Sequence, residues 1–153
     1  MGDERRNVEF ARFIVKQFPK AKSVLVVADG KGELARKLAN KGLSVRVVEN
    51  KPRFEGRKHT LISYKKGWFN AGWQIEEDVV VAMHPDEATG EILAAANAQG
   101  KPFAVVPCCA VGKFSKNINR RRGGDWIKRL KGLFPCSEAT LRISGRNTVL
   151  YRR

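Results

Sequence analysis

The chain has 153 residues, and its 30 Lys and Arg stand against 15 Asp and Glu for a net charge of +15. That length suits one domain built on one sheet and excludes a cofactor domain followed by a separate substrate domain, so 1–153 is expected to be a single unit. No apolar run approaches the roughly twenty residues that span a bilayer and the start lacks a secretory apolar segment, so an intracellular, cytoplasmic protein without a membrane partner is expected, an organellar or nuclear location staying open.

Taken in chain order, residues 1–20 hold a leading helix: Val8, Phe10, Phe13, Ile14 and Phe18 recur at helical spacing over 5–18 and stop before Pro19. The apolar run 24–27 reads as a buried strand, 32–41 as a helix with Leu34, Ala35 and Leu38 on one face, and 43–48 as a second strand. A basic connection over 50–59, containing Pro52 and Gly56, precedes a short strand over 59–64. Residues 65–77 carry Trp68, Phe69 and Trp73, whose rings either pack under a loop or stack on a base. Residues 78–83 form a fully buried strand, Thr89 caps a helix over 90–99, and 103–106 make the fifth strand. A helix over 125–134 follows, and strands at 139–143 and 148–151 are joined by Ser-Gly-Arg-Asn, a hairpin signal.

The first strand, turn and helix carry the strongest chemistry. Gly30 and Gly32 let the backbone turn sharply and approach a ligand, and the first N–H groups of the following helix are expected to face the same spot. At the end of the second strand stands Glu49, where a carboxylate can accept both hydroxyls of a ribose, with Asn50 beside it. Read as Gly30-x-Gly32-x-x-Ala35 the turn fits a dinucleotide fingerprint, which keeps an NAD-binding module open.

Read one step earlier, Ala28-Asp29-Gly30-Lys31-Gly32 resembles the glycine-rich first motif of class I S-adenosylmethionine-dependent methyltransferases. Two departures stand out: Ala28 replaces that motif's first glycine, and Val26 replaces the acid the family usually carries in the strand. The closing hairpin is similar to that family's architecture and has no counterpart in the ordinary dinucleotide half-fold. The segments His84-Pro85-Asp86-Glu87-Ala88-Thr89 and Pro107-Cys108-Cys109 resemble a set of methyltransferase-like domains with these signatures after strands four and five, as does 145–151 in its closing strand. The resemblance implies an α/β, Rossmann-like three-layer sandwich whose mainly parallel sheet is closed by a C-terminal antiparallel hairpin. It also implies S-adenosylmethionine as cofactor, held by Ala28, Asp29, Gly30, Lys31, Gly32, Glu49, Asn50 and His84, with a substrate face at His84, Pro85, Asp86 and Cys108.

His84 is a candidate base near neutral pH and Asp86 a candidate partner for a proton or an amino group, although both also suit a purely structural role at a strand end. RNA cytosine carbon-five methyltransferases place a nucleophilic cysteine after strand five, but their surrounding motif is absent, and Cys108 and Cys109 equally suit buried packing. The three cysteines, two of them adjacent, form no disulfide framework. Together with His59 and His84 they show none of the paired spacings of structural zinc modules, so no metal is expected.

Within 113–131, a basic loop and helix, lie Lys113, Lys116, Arg120, Arg121, Arg122, Lys128 and Arg129, with Asp125 as the single acid. Such a cluster neutralises phosphates, or else is a solvated basic loop. The sequence reading is therefore a methyltransferase acting on RNA or a ribonucleoprotein. A catalytically inactive cofactor- and RNA-binding assembly protein is the alternative, alongside the NAD module.

Overall fold

Alternate residues of the apolar runs face opposite sides of one sheet, which is why the runs are apolar throughout. In the computed structural model, which describes residues 3–51, 53 and 58–153, Val24 and Val26 point to one core while Leu25 and Val27 point to the other. Pro52 and Gly56 of the predicted connection lie outside the described residues.

The elements follow in the order α1 (Arg6–Gln17), β1 (Ser23–Val27), α2 (Glu33–Ala39), β2 (Ser44–Glu49), β3 (Ile62–Lys66), β4 (Val79–Met83), α3 (Ala88–Gln99), β5 (Phe103–Val106), α4 (Gly123–Leu133), β6 (Ser137–Thr140) and β7 (Thr148–Arg152). The strands make a 7-stranded sheet in the order β3-β2-β1-β4-β5-β7-β6. All neighbours through β5 are parallel, and β7 runs antiparallel to both β5 and β6. Helices α1 and α2 bury Phe10, Ile14, Leu34 and Leu38 on one face, and α3 and α4 bury Ile92, Leu93, Trp126 and Leu130 on the other. Each such fully buried side chain stabilises the fold by about 1.5–3 kcal/mol relative to exposure. The three-layer α/β arrangement expected from the sequence is the one observed.

Two local expectations are corrected. Thr89 does not cap α3 but lies inside its first turn, fully buried, and its hydroxyl has no partner among the described residues. The Pro85 and Asp86 carbonyls accept the Ala88 and Thr89 N–H groups, so the helix starts without a side-chain cap. The closing hairpin is also longer than a tight turn: β6 ends at Thr140, β7 begins at Thr148, and Leu141 N–H donates to the Asn147 carbonyl at 2.8 Å across the mouth of the connection.

Candidate functional site

The chain leaves β1 toward one edge of the sheet and leaves β4 toward the other, so the adjacent carboxyl ends of these strands form the topological switch point where open α/β sheets bind ligands. A cleft of about 1120 Å³ opens there. Its floor is two turns of the same backbone design. Ala28 follows β1 at φ 60° and Gly30 at φ 56°; His84 follows β4 at φ 51° and Asp86 at φ 50°. In each turn the first N–H bonds the neighbouring strand, Ala28 to the Val48 carbonyl at 2.9 Å and His84 to the Val106 carbonyl at 3.0 Å.

On the β1 side Glu49 is buried, and its carboxylate accepts Gly30 N–H at 2.7 Å and Lys51 N–H at 3.0 Å. Each oxygen keeps a further lone pair, so the group is fixed in place and still able to accept hydroxyls at the cleft wall. Ala28, Gly30, Lys31 and Asn50 line the same wall, whereas Gly32 is buried under the turn at φ 77° and is not part of the lining. Asp29 changes the sequence picture most. Its carboxylate accepts Leu34 N–H at 3.1 Å and Ala35 N–H at 2.9 Å, so donors of α2 expected to face a ligand are taken by the chain itself. Burial outweighs those two bonds and pushes the Asp29 carboxyl up to about 7.

On the β4 side His84 is half-buried, with Nε2 at 3.0 Å from the Arg146 carbonyl. A carbonyl only accepts, so Nε2 carries the hydrogen and Nδ1 keeps the lone pair. Burial lowers the His84 pKa, which favours this neutral form at neutral pH. Pro85 is buried and fixes the turn, and Asp86 is exposed. The Cys108 thiol donates to Asp86 Oδ1 at 2.9 Å, and burial, followed by that bond, pushes the thiol up to about 12. A thiol held so firmly in its protonated form is not prepared as a nucleophile.

Several lining residues escaped the sequence reading. Arg6 and Asn7 reach the cleft from α1, with Asn7 Nδ2 donating to Glu33 Oε2 at 2.9 Å, and Ser144 and Arg146 reach it from the β6–β7 connection. Asn7 is a buried polar residue on an otherwise apolar helix face, and that was the available signal. Trp68 lines the cleft and is 65% exposed, whereas Phe69 stacks on Trp73 with centroids 5.7 Å apart.

The basic segment separates into engaged and unengaged groups. Lys113 pairs with Glu91 at 3.2 Å, Arg122 with Asp125 at 3.8 Å, and Arg129 Nη1 donates to the Phe114 and Lys116 carbonyls at 3.2 Å each. Arg129 therefore holds the loop together. Lys116, Arg120, Arg121 and Lys128 are exposed and make no ion pair among the described residues. A second cleft of about 560 Å³ beside α4 includes Lys128 and shares Cys108 and Arg146 with the first.

No protein-family model matches the sequence, and no curated protein does. Solved structures do. A protein taken to be a methyltransferase of an antibiotic biosynthesis pathway in Anabaena variabilis aligns at TM-score 0.60 and 14% identity, over 86% of this chain and 63% of that one. PigF, solved with SAH (S-adenosylhomocysteine), aligns at 0.63 and 14%, over 96% and 55%. CalS10, an amino pentose methyltransferase of calicheamicin biosynthesis from Micromonospora echinaspora solved with S-adenosylmethionine, aligns at 0.61 and 14%, over 97% and 90%. The chain thus spans roughly three fifths of the length of the first two. The fold is the Rossmann-like methyltransferase fold. Among the described residues, no helix is long and apolar enough to cross a membrane.

Proposed function

We propose that the chain binds S-adenosylmethionine and transfers its methyl group, with RNA or a ribonucleoprotein as acceptor. The observation that carries the cofactor assignment is the pairing of Glu49 and Asp29 in one wall. Glu49 presents a fixed carboxylate to a ribose, while Asp29 takes helix N–H donors that a pyrophosphate would require, which disfavours a dinucleotide. The cleft, at about 1120 Å³, exceeds the usual size of a one-ligand pocket and leaves room for an acceptor beside the cofactor.

The sulfonium of the cofactor supplies the electrophilic methyl group, so the residues of the chain have mainly to position and desolvate an acceptor. His84, with Nδ1 unprotonated, is the group suited to remove a proton from it, and Asp86 is suited to orient an amino or hydroxyl donor. The polyanionic acceptor is supported by the net charge of +15, by Lys116, Arg120, Arg121 and Lys128, which make no ion pair among the described residues, and by the second cleft that joins Lys128 to Cys108.

Calorimetric titration with SAH and with NAD, side by side, tests the cofactor. SAH is expected to bind and NAD not; the reverse result overturns the reading. RNA binding across a salt series tests the acceptor class, with a log-log slope near −0.7 per phosphate neutralised on a single strand. Changing Arg120, Arg121 and Arg122 to Ala should flatten that slope by roughly two units while SAH affinity stays the same. An unchanged slope would return the segment to a solvated loop and direct the search to other acceptors.

A further inference from the structure

Strands β4 and β5 are parallel neighbours in a register that pairs Met83 with Val106. The residues just past their carboxyl ends therefore emerge side by side, which brings Asp86 from one loop to Cys108 and Cys109 from the other. One carboxylate oxygen and the two sulfurs all lie within 4.8 Å of one another. All three residues line the large cleft. Sequence spacing hides this set, because two donors are adjacent and the third stands 22 positions earlier than Cys108.

We propose that Asp86, Cys108 and Cys109 form a binding site for a borderline-soft divalent cation, with Zn²⁺ as the expected ion. Two sulfurs with one carboxylate suit Zn²⁺ or Co²⁺ and discriminate against Mg²⁺ and Ca²⁺, which require mostly oxygen. The two thiols bind as thiolates, so entry of the cation releases two protons, including the one that now bridges Cys108 Sγ and Asp86 Oδ1 at 2.9 Å. Three protein donors leave a fourth tetrahedral position, the arrangement of catalytic rather than structural zinc sites, and that position borders the cleft where a water or an acceptor atom would take it. His84 is not among the donors; its Nε2 stays on the Arg146 carbonyl.

The test is titration of the reduced, full-length chain with Co²⁺ under anaerobic conditions. Stoichiometric binding with a near-ultraviolet sulfur-to-cobalt charge-transfer band and the visible bands of tetrahedral cobalt is expected, and Zn²⁺ should displace both. Cys136 lies outside the cluster, so Cys136→Ser should leave the spectrum intact, whereas Cys109→Ser should lose much of the sulfur band. Asp86→Asn should keep the band and bind at least about tenfold more weakly. Circular dichroism checks that each variant is folded. A folded, reduced wild-type chain without a sulfur-to-cobalt band overturns the proposal. So does a band that follows Cys136 instead of Cys109, or an Asp86→Asn chain that binds as tightly as wild type. Cobalt binding requires no cofactor, so its failure and a failure of SAH binding are separate results.

Discussion

The turns after β1 and β4 share one backbone course and deploy their side chains in opposite ways. Each leaves its strand through a non-glycine residue in the left-handed region, Ala28 in one and His84 in the other, and returns to that region two residues later at Gly30 and Asp86. In the first turn the acid serves the fold: Asp29 holds the start of α2, and glycine stands where the backbone meets the cleft. In the second turn the acid is exposed and meets a thiol from the loop after β5, and the first left-handed residue is a histidine. A common backbone solution thus places an acid engaged with a helix start at one strand end and an exposed acid beside a thiol and a histidine at the other. Non-glycine residues in this conformation cost roughly 1–2 kcal/mol, which the surrounding sheet must offset.

The largest effect that tests this division is at Glu49, the buried carboxylate in the cleft wall that the proposed function assigns to the ribose. Glu49→Ala should weaken SAH binding by about 1.5–3 kcal/mol, roughly ten- to 150-fold, because it removes a charge-assisted acceptor. It also leaves Gly30 and Lys51 N–H without their present partner, so the fold should lose stability as well. Glu49→Gln, which keeps one acceptor oxygen, should recover part of both. SAH affinity unchanged in Glu49→Ala, in a folded chain, would place the cofactor elsewhere and dissolve the distinction between the two turns.

How much of this was legible in the sequence follows from the range of the interactions. Strands β1, β4 and β5 were readable because each is a continuous apolar run that buries both faces, and Glu49 was readable because it follows Val45, Val47 and Val48 of the less uniformly apolar β2. The expected strand over 59–64 is observed at Ile62–Lys66, since this edge strand alternates weakly and its burial does not fix its ends. The role of Asp29 was not legible: the same carboxylate suits a ligand or a helix start, and only the local backbone course decides. The cleft-lining role of Arg146 and the juxtaposition of Asp86 with Cys108 depend on sheet register between distant segments, which no local pattern encodes.

The structural role of Asp29 predicts a pH dependence. Its carboxyl is raised in the folded state from an ordinary value of 3.8 to about 7, so the folded chain binds the proton more tightly than the unfolded one. The stabilisation is fully present below the unfolded value and is lost as pH rises toward 7. Between pH of about 4 and 7 the wild type should lose roughly 1–3 kcal/mol relative to Asp29→Asn, a figure discounted for the group's partial exposure. Urea denaturation of both chains across that range measures it. Parallel curves would mean that Asp29 is not held at the helix start.

The smallest effect tests the strain common to both turns. At φ 60° Ala28 bears a Cβ in the left-handed region, a cost of about 1–2 kcal/mol that glycine avoids. Glycine loses about 0.4–1 kcal/mol of that advantage through the added freedom of the unfolded chain. Ala28→Gly should therefore stabilise the protein by about 0.5 kcal/mol, seen as a higher urea midpoint with an unchanged slope. Asp86→Gly offers no such gain, because aspartate tolerates this conformation better and the change removes the acceptor of the Cys108 thiol. The two variants should thus move the midpoint in opposite directions although the backbone angles they relieve are nearly equal. Destabilisation by Ala28→Gly would show that the Ala28 methyl contributes more through its packing against the core on that face of the sheet than its backbone strain costs, and the parallel between the turns would then be one of shape alone.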